Sequence, residues 1–168
     1  MRKINFILVI IFIIILFFNG LLFAAPEVDI FDNWIVIKSK DSETGDINSV
    51  DLYQADYAIP LRIVWRNGEV MIVMQPYKIE KLGNEYEIYY QFDDGVSNRV
   101  VCKVSQENKN LYIPNHLEKQ LIEKMMTHKR LNIGSFELPD PTAGSTLSYN
   151  LNRFDEAVKK YKEYFLND

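Results

Sequence analysis

The sequence predicts an α+β fold that is mainly β: an antiparallel meander or sandwich-like sheet carrying two helices, the second at the C-terminus. Three observations lead there. First, Pro60 to Gln75 holds two β-rich runs on either side of Asn67-Gly68, a dipeptide suited to a two-residue type I′ turn. Second, later stretches such as Glu85 to Phe92 alternate apolar and polar residues at the period of a half-buried strand. Third, only two segments, one after Pro114 and one after Asn152, repeat their apolar residues at helical spacing.

Taken in order, the chain begins with Arg2 and Lys3 ahead of an unbroken apolar run from Phe6 to Phe18, followed by Asn19-Gly20 and Leu-Leu-Phe-Ala-Ala. This reads as an export signal, residues 1–24, with cleavage after Ala24, because cutting after Ala25 would leave Pro26 first. The competing reading is an uncleaved anchor, since a bilayer span needs about 20 apolar residues. No cysteine lies near the junction, so a lipoprotein signal is not expected. Residues 25–168 suffice for a single domain with its own core.

Asn33 to Lys38 is the first expected strand, and Val50 to Gln54 the second, across a polar loop that turns at Thr44-Gly45-Asp46. In the hairpin, the turn sets the register: Arg66 opposite Glu69, Trp65 opposite Val70, Ile63 opposite Ile72 and Leu61 opposite Met74. Leu61, Ile63, Trp65, Val70, Ile72 and Met74 then form one apolar face, while Arg62, Val64, Met71 and Val73 lie on a mixed one. A buried side chain of this size contributes roughly 1.5–3 kcal/mol, which makes the hairpin the centre of the core.

Beyond it, Glu85 to Phe92 presents Tyr86, Ile88, Tyr90 and Phe92 on one face, Asp93-Asp94-Gly95 turns, and Arg99 to Ser105 returns. A polar turn at 106–110 leads to the short strand Leu111 to Ile113. Asn115 with Glu118 is a capping-box pattern, opening a helix whose buried stripe is Leu117, Leu121, Ile122, Met125 and Met126. Leu131 to Ile133 and Phe136 to Leu138 read as one strand bulged at Gly134-Ser135, and a loop follows from Pro139 to Gly144. Thr146 to Leu151 is the last strand, with Leu147, Tyr149 and Leu151 on a shared face. Asn152 is the expected cap of a closing helix with Phe154, Ala157, Val158, Tyr161 and Phe165 inward and the pairs Asp155/Lys159 and Glu156/Lys160 outward.

Reactive chemistry is thin. Cys102, the sole cysteine, shares a strand face with Val100 and Val104 and so belongs in the core. His116 and His128 are the only histidines, and twelve positions apart on one helix they cannot form a two-histidine zinc motif. Asp41, Glu43 and Asp46 crowd one loop without the ligand spacing of a calcium loop, and Asp93-Asp94 suits turn chemistry better than acid/base work. No Gly-rich phosphate loop or nucleophile elbow is present, so no cofactor and no metal are expected. The whole chain carries a net charge of −4; without Arg2 and Lys3 its 19 basic residues become 17 against 23 acidic ones, a net −6. That balance argues against nucleic acid, and against a membrane beyond the export signal. Tyr86, Tyr89, Tyr90 and Tyr112 suit either core packing or a binding surface.

The order of landmarks carries a resemblance: Trp34 followed by Asp41-Ser-Glu-Thr-Gly45, then Leu61-Arg-Ile63, Tyr90-Gln-Phe-Asp93, a capped helix, Leu131-Asn-Ile133, and a last strand entering a helix with Ala157. It resembles the small exported proteins of type VI secretion clusters, the VasI-like group, and more distantly the invasion-associated locus B proteins. The resemblance covers most of residues 25–168. It implies a compact β-rich domain in the bacterial envelope, with no catalytic residues to carry over. The chain departs from that pattern in having Trp65 where such proteins often carry a cysteine, and no cysteine in the closing helix.

The expected function is therefore a periplasmic or secreted, non-catalytic accessory or binding module of the cell envelope whose partner is another envelope protein. Arg62, Val64, Met71 and Val73 are the expected contact surface. The alternative is an envelope hydrolase using Cys102 with His116 or His128.

Overall fold

The computed structural model describes residues 26–54, 59–74, 84–105, 110–134 and 146–166. The expected export signal, the continuation at Phe136 to Leu138 and the loop from Pro139 lie outside the described residues. Ten strands form one antiparallel sheet: β1 (Glu27–Phe31), β2 (Trp34–Lys40), β3 (Ile47–Gln54), β4 (Leu61–Arg66), β5 (Glu69–Met74), β6 (Glu85–Phe92), β7 (Asn98–Val104), β8 (Leu111–Tyr112), β9 (Arg130–Gly134) and β10 (Leu147–Asn150). Among the described residues three helical segments accompany them: α1 (Asn115–Met125), α2 (Phe154–Lys160) and α3 (Lys162–Phe165).

The hairpin forms in the expected register, from Arg66 opposite Glu69 to Leu61 opposite Met74. Asn67 and Gly68 both take positive φ, 52° and 87°, as a type I′ turn requires. Leu61, Ile63, Ile72 and Met74 are buried in the core, with Trp65 and Val70 packed against it. Strands β1 to β5 follow one another as a meander, but the next neighbour of β5 is β8, and the order continues β7-β6-β9-β10. The β5–β8 seam is only two residue pairs long, Val73 with Tyr112 and Met74 with Leu111.

The register carries one side of this sheet unbroken from Phe31 and Trp34 through Leu52, Ile63, Ile72, Leu111, Cys102, Ile88, Ile133 and Tyr149, and all of these belong to one core cluster. The sheet is curled around that core. Asn150 on β10 accepts hydrogen bonds from Trp34 Nε1 at 3.1 Å and Gln54 Nε2 at 2.7 Å, although β2 and β3 stand seven or eight strands away in the order. At about 4.8 Å per strand a flat sheet would hold these groups more than ~30 Å apart.

On the closing segment the expected apolar stripe, Phe154, Ala157, Val158, Tyr161 and Phe165, is buried; on α1 Leu121, Ile122 and Met125 are buried, while Leu117 and Met126 are half-buried against the core. The closing helix is, however, two pieces, interrupted at Tyr161 with φ −117°. Phe154 meets Trp34 edge-on at 4.8 Å between ring centroids, and Tyr164 meets Trp65 at 4.9 Å, so this segment plugs the β1–β4 side of the curl.

Both expected caps are corrected. Pro114, not Asn115, occupies the N-cap of α1, and no side chain caps it. The carboxylate of Glu118 instead accepts the N–H of Ile72 on β5 at 3.3 Å. Just past β8, Ile113 still donates its N–H to the Ile72 carbonyl at 3.1 Å, while the Ile72 N–H itself goes to Glu118; a buried N–H is costly to leave unpaired. Likewise Arg153, with φ 58°, precedes α2, while Asn152 donates its N–H to Asn150 Oδ1. Of the expected helical ion pairs, Asp155–Lys159 forms, but Glu156 pairs with Arg153 and Lys160 reaches Asp29 on β1. A strand not foreseen, β1, supplies that partner.

Candidate functional site

The side of β1–β5 turned away from the core is the candidate site. Its residues follow from the register: Val28 and Ile30 on β1, Ile37 and Ile35 on β2, Asp51 and Tyr53 on β3, Val64 and Arg62 on β4, Met71 and Val73 on β5. The structure brings the four expected contact residues, Arg62, Val64, Met71 and Val73, onto adjacent strands of this face, but their accessibility differs. Val64 and Val73 are only 8% and 5% exposed, outside the main core cluster, while Met71 is half-buried. Arg62 is exposed and donates to Asp51 at 2.7 Å, so its charge is already matched.

The open apolar surface lies at the other end. Val28 and Ile30 are 52% and 66% exposed, and Ile35, Ile37 and Tyr53 beside them are half-buried. Sequence reasoning missed β1 because it sits directly after the apolar N-terminal run. The alternation of Glu27-Val-Asp-Ile-Phe31 was the available signal, since it puts Val28 and Ile30 on one side and Phe31 on the other.

The carboxylates of β1 are engaged within the chain. Glu27 pairs with both Lys38 and Lys40, and these two ammonium groups hold its pKa down at about 2. Asp29 accepts from Lys160 and from the Tyr161 hydroxyl, which together lower its pKa. The edge of the sheet is thus flanked by an open groove of about 580 Å³ lined by Glu27, Asp29, Lys38, Lys160 and Tyr161.

The remaining candidates resolve into structural roles. Cys102 is fully buried, and desolvation pushes its thiol up to about 12. His128 stacks on Phe92 at 4.8 Å and its Nδ1 lies 2.7 Å from the Lys124 carbonyl. Cys102 pairs across from Tyr86, six residues from Phe92 on β6, so thiol and imidazole are separated by roughly 20 Å of strand. His116 is exposed on the first turn of α1. In Asp93-Asp94-Gly95, Asp93 takes φ 48°, and its Oδ1 accepts the N–H groups of Lys129 and Arg130 at 3.1 and 2.9 Å, tying the turn to β9. An open polar groove of about 490 Å³ lies beside it, lined by Asp94, Arg130, Ser148, Asn150 and Asn152. Asp41 Oδ1 accepts the N–H groups of Glu43 and Thr44, the hydrogen bonding of a turn. Of the four candidate tyrosines, Tyr90 is buried, Tyr86 packs against the core, Tyr89 donates to Glu87 from the outer side, and Tyr112 is half-buried on β8 opposite Val73.

Among the described residues, no group of three or more His, Cys, Asp or Glu side chains is arranged to hold a metal ion, and no helix is long and apolar enough to cross a membrane. No protein-family model, no curated protein and no solved structure matches the chain.

Proposed function

We propose that this chain is an exported, non-catalytic binding module of the bacterial cell envelope, docking another envelope protein on the outer face of β1–β5. The observation that carries the reading is the contiguous apolar strip of Val28, Ile30, Ile35 and Ile37, bordered by Tyr53 and the matched Asp51–Arg62 pair. Apolar residues gathered on one open sheet face, rimmed by polar groups, mark interaction surfaces. Periplasmic or secreted placement rests on the N-terminal sequence pattern alone.

The test is site-specific photo-crosslinking in the producing cell from Ile37, Tyr53 and Met71, with Val96, an exposed apolar residue in the β6–β7 turn, as control. One envelope protein captured from the three face positions and not from Val96 is the expected result. Capture of nothing from the face, or of the same protein from Val96, rejects the reading.

The hydrolase alternative makes an opposite prediction for Cys102. A nucleophilic cysteine must be accessible and hold thiolate near neutrality. Here the thiol is buried and its pKa raised, so labelling at pH 8 should proceed only as fast as the protein unfolds and should accelerate at least about a hundredfold in denaturant. Rapid stoichiometric labelling of the folded protein would revive the enzyme.

A further inference from the structure

The two ends of the sheet are unlike. At one end, β10 is tied inward: its Asn150 carbonyl accepts from Trp34 and Gln54, and the Tyr149 hydroxyl donates to the Ile59 carbonyl. At the other, β1 has β2 on one side and, among the described residues, no strand on its outer side. Proteins blunt such edges with charge, because an edge strand offers its backbone groups to any other strand. The two acidic side chains of β1 do not serve this purpose, since Glu27 is matched by Lys38 and Lys40, and Asp29 by Lys160 and Tyr161. What the edge presents instead is Val28 and Ile30, both more than half exposed.

We propose that β1 is a self-association edge, pairing antiparallel with β1 of a second copy of this chain about a two-fold axis at Asp29. This goes beyond the proposed binding function and does not depend on it. The pairing is self-complementary. An axis at Asp29 sets Val28 opposite the second copy's Ile30 and Ile30 opposite its Val28, so four apolar side chains meet on the outer face. On the other face the axis sets Glu27 opposite Phe31 and Asp29 opposite its own equivalent. Asp29 tolerates that position because each copy already surrounds it with an ammonium and a hydroxyl. The open groove on this side leaves room for the incoming strand's side chains. Shifting the axis by one residue, to Val28 or to Ile30, would shorten the overlap and leave Ile30 opposite Pro26 or Val28 opposite Asp32, so only the axis at Asp29 matches both apolar residues along the full strand. A five-residue strand buries less than the ~1,200 Å² of a standard interface, which makes the dimer a weak, transient one.

Sedimentation equilibrium of the protein as recovered from the producing cell, across roughly 1 μM to 0.5 mM, tests this. A reversible monomer–dimer equilibrium is expected. Val28→Lys/Ile30→Lys should weaken it at least about tenfold by placing like charges across the axis, whereas Val96→Lys, at a distant exposed apolar residue, should leave it unchanged. Circular dichroism establishes that each variant is folded. Should the double variant fail to fold, hydrogen exchange of the unaltered protein decides: the β1 amides should exchange more slowly as concentration rises, while those around Val96 do not. A monomer at every concentration overturns the proposal, as does a dimer indifferent to the β1 lysines or equally weakened by Val96→Lys, or β1 exchange that ignores concentration.

Discussion

Replacing Trp34 by alanine should destabilise the protein by about 3–5 kcal/mol, the range for removing a buried large aromatic side chain. Trp34 is fully buried, stands edge-on to Phe154, and donates Nε1–H to the Asn150 carbonyl at 3.1 Å. Its own core packing is then lost together with two links between the ends of the chain: the edge-on contact with α2, and one of the two hydrogen bonds that draw β10 over β2 and β3. Trp34→Phe separates these terms. It keeps most of the ring and loses the donor, so its cost should fall to about 1–2 kcal/mol, near that of a single buried hydrogen bond with some lost volume. Urea midpoints for both variants, at unchanged slope, measure the two values. If Trp34→Ala cost less than about 1 kcal/mol, the closure of the sheet described above would not be what holds the ends together.

The second large effect is a pH dependence opposite to that of most carboxylates. Glu118 is 6% exposed, and desolvation, the largest effect, raises its pKa from 4.5 to about 7; the Ile72 N–H pulls the other way, and the nearby Glu69 charge adds a smaller push upward. Because the folded value is the higher one, the folded protein keeps a proton between pH 4.5 and 7 that the unfolded chain has released. Stability must then fall as pH rises through this window, and the full penalty applies above pH 7. The difference corresponds to roughly 3 kcal/mol. Glu118→Gln keeps an oxygen for the Ile72 N–H and removes the charge. The variant should match the unaltered protein near pH 5 and exceed it at pH 8 by about 2–3 kcal/mol, or roughly 5–10 °C in Tm. A Tm difference constant from pH 5 to 8, or a variant less stable at pH 8, would show that the carboxylate is not held as described. At the acid end the sign reverses. Asp29, Asp41 and Asp155 have pKa values lowered by their partners, and that contribution is lost as pH falls through their folded values. The protein should therefore be most stable at mildly acidic pH.

How much of this was legible in the sequence depends on the range over which each feature is decided. The hairpin was fully readable, because Asn67-Gly68 fixes both the turn and every pair beside it. The inward faces of β6, β7, β10 and the helices were readable for the same local reason, since alternation and helical periodicity say which side is apolar. Cys102 followed from its parity with Val100. What was not readable is what the tertiary fold decides. Neighbourhood of β5 with β8 in place of β6 rests on a two-residue strand that was expected at Leu111 to Ile113 but whose partner no local pattern names. Glu118 carries a capping signature, yet a sheet donor on β5 claims its carboxylate. Lys160 has a helical partner at the right spacing in Glu156, yet an aspartate from the far end of the chain takes it. At the candidate site, the alternation of β4 and β5 placed Arg62, Val64, Met71 and Val73 on one face correctly, but alternation carries no information about what lies over Val64 and Val73. The open apolar surface sits on β1, whose own alternation was hidden beside the N-terminal apolar run.

The bonds from Trp34 and Gln54 to Asn150 join positions 116 and 96 residues apart in the chain. Early strands can zip as hairpins while synthesis continues, but the ring cannot shut until its final quarter has been made, and non-local closure of this kind is slow. Until then the greasy lining of β2 to β5 has no lid. A cell producing this protein has to shield a half-built cup for most of the time taken to make it, and a chain truncated before Phe154 would leave that cup permanently open.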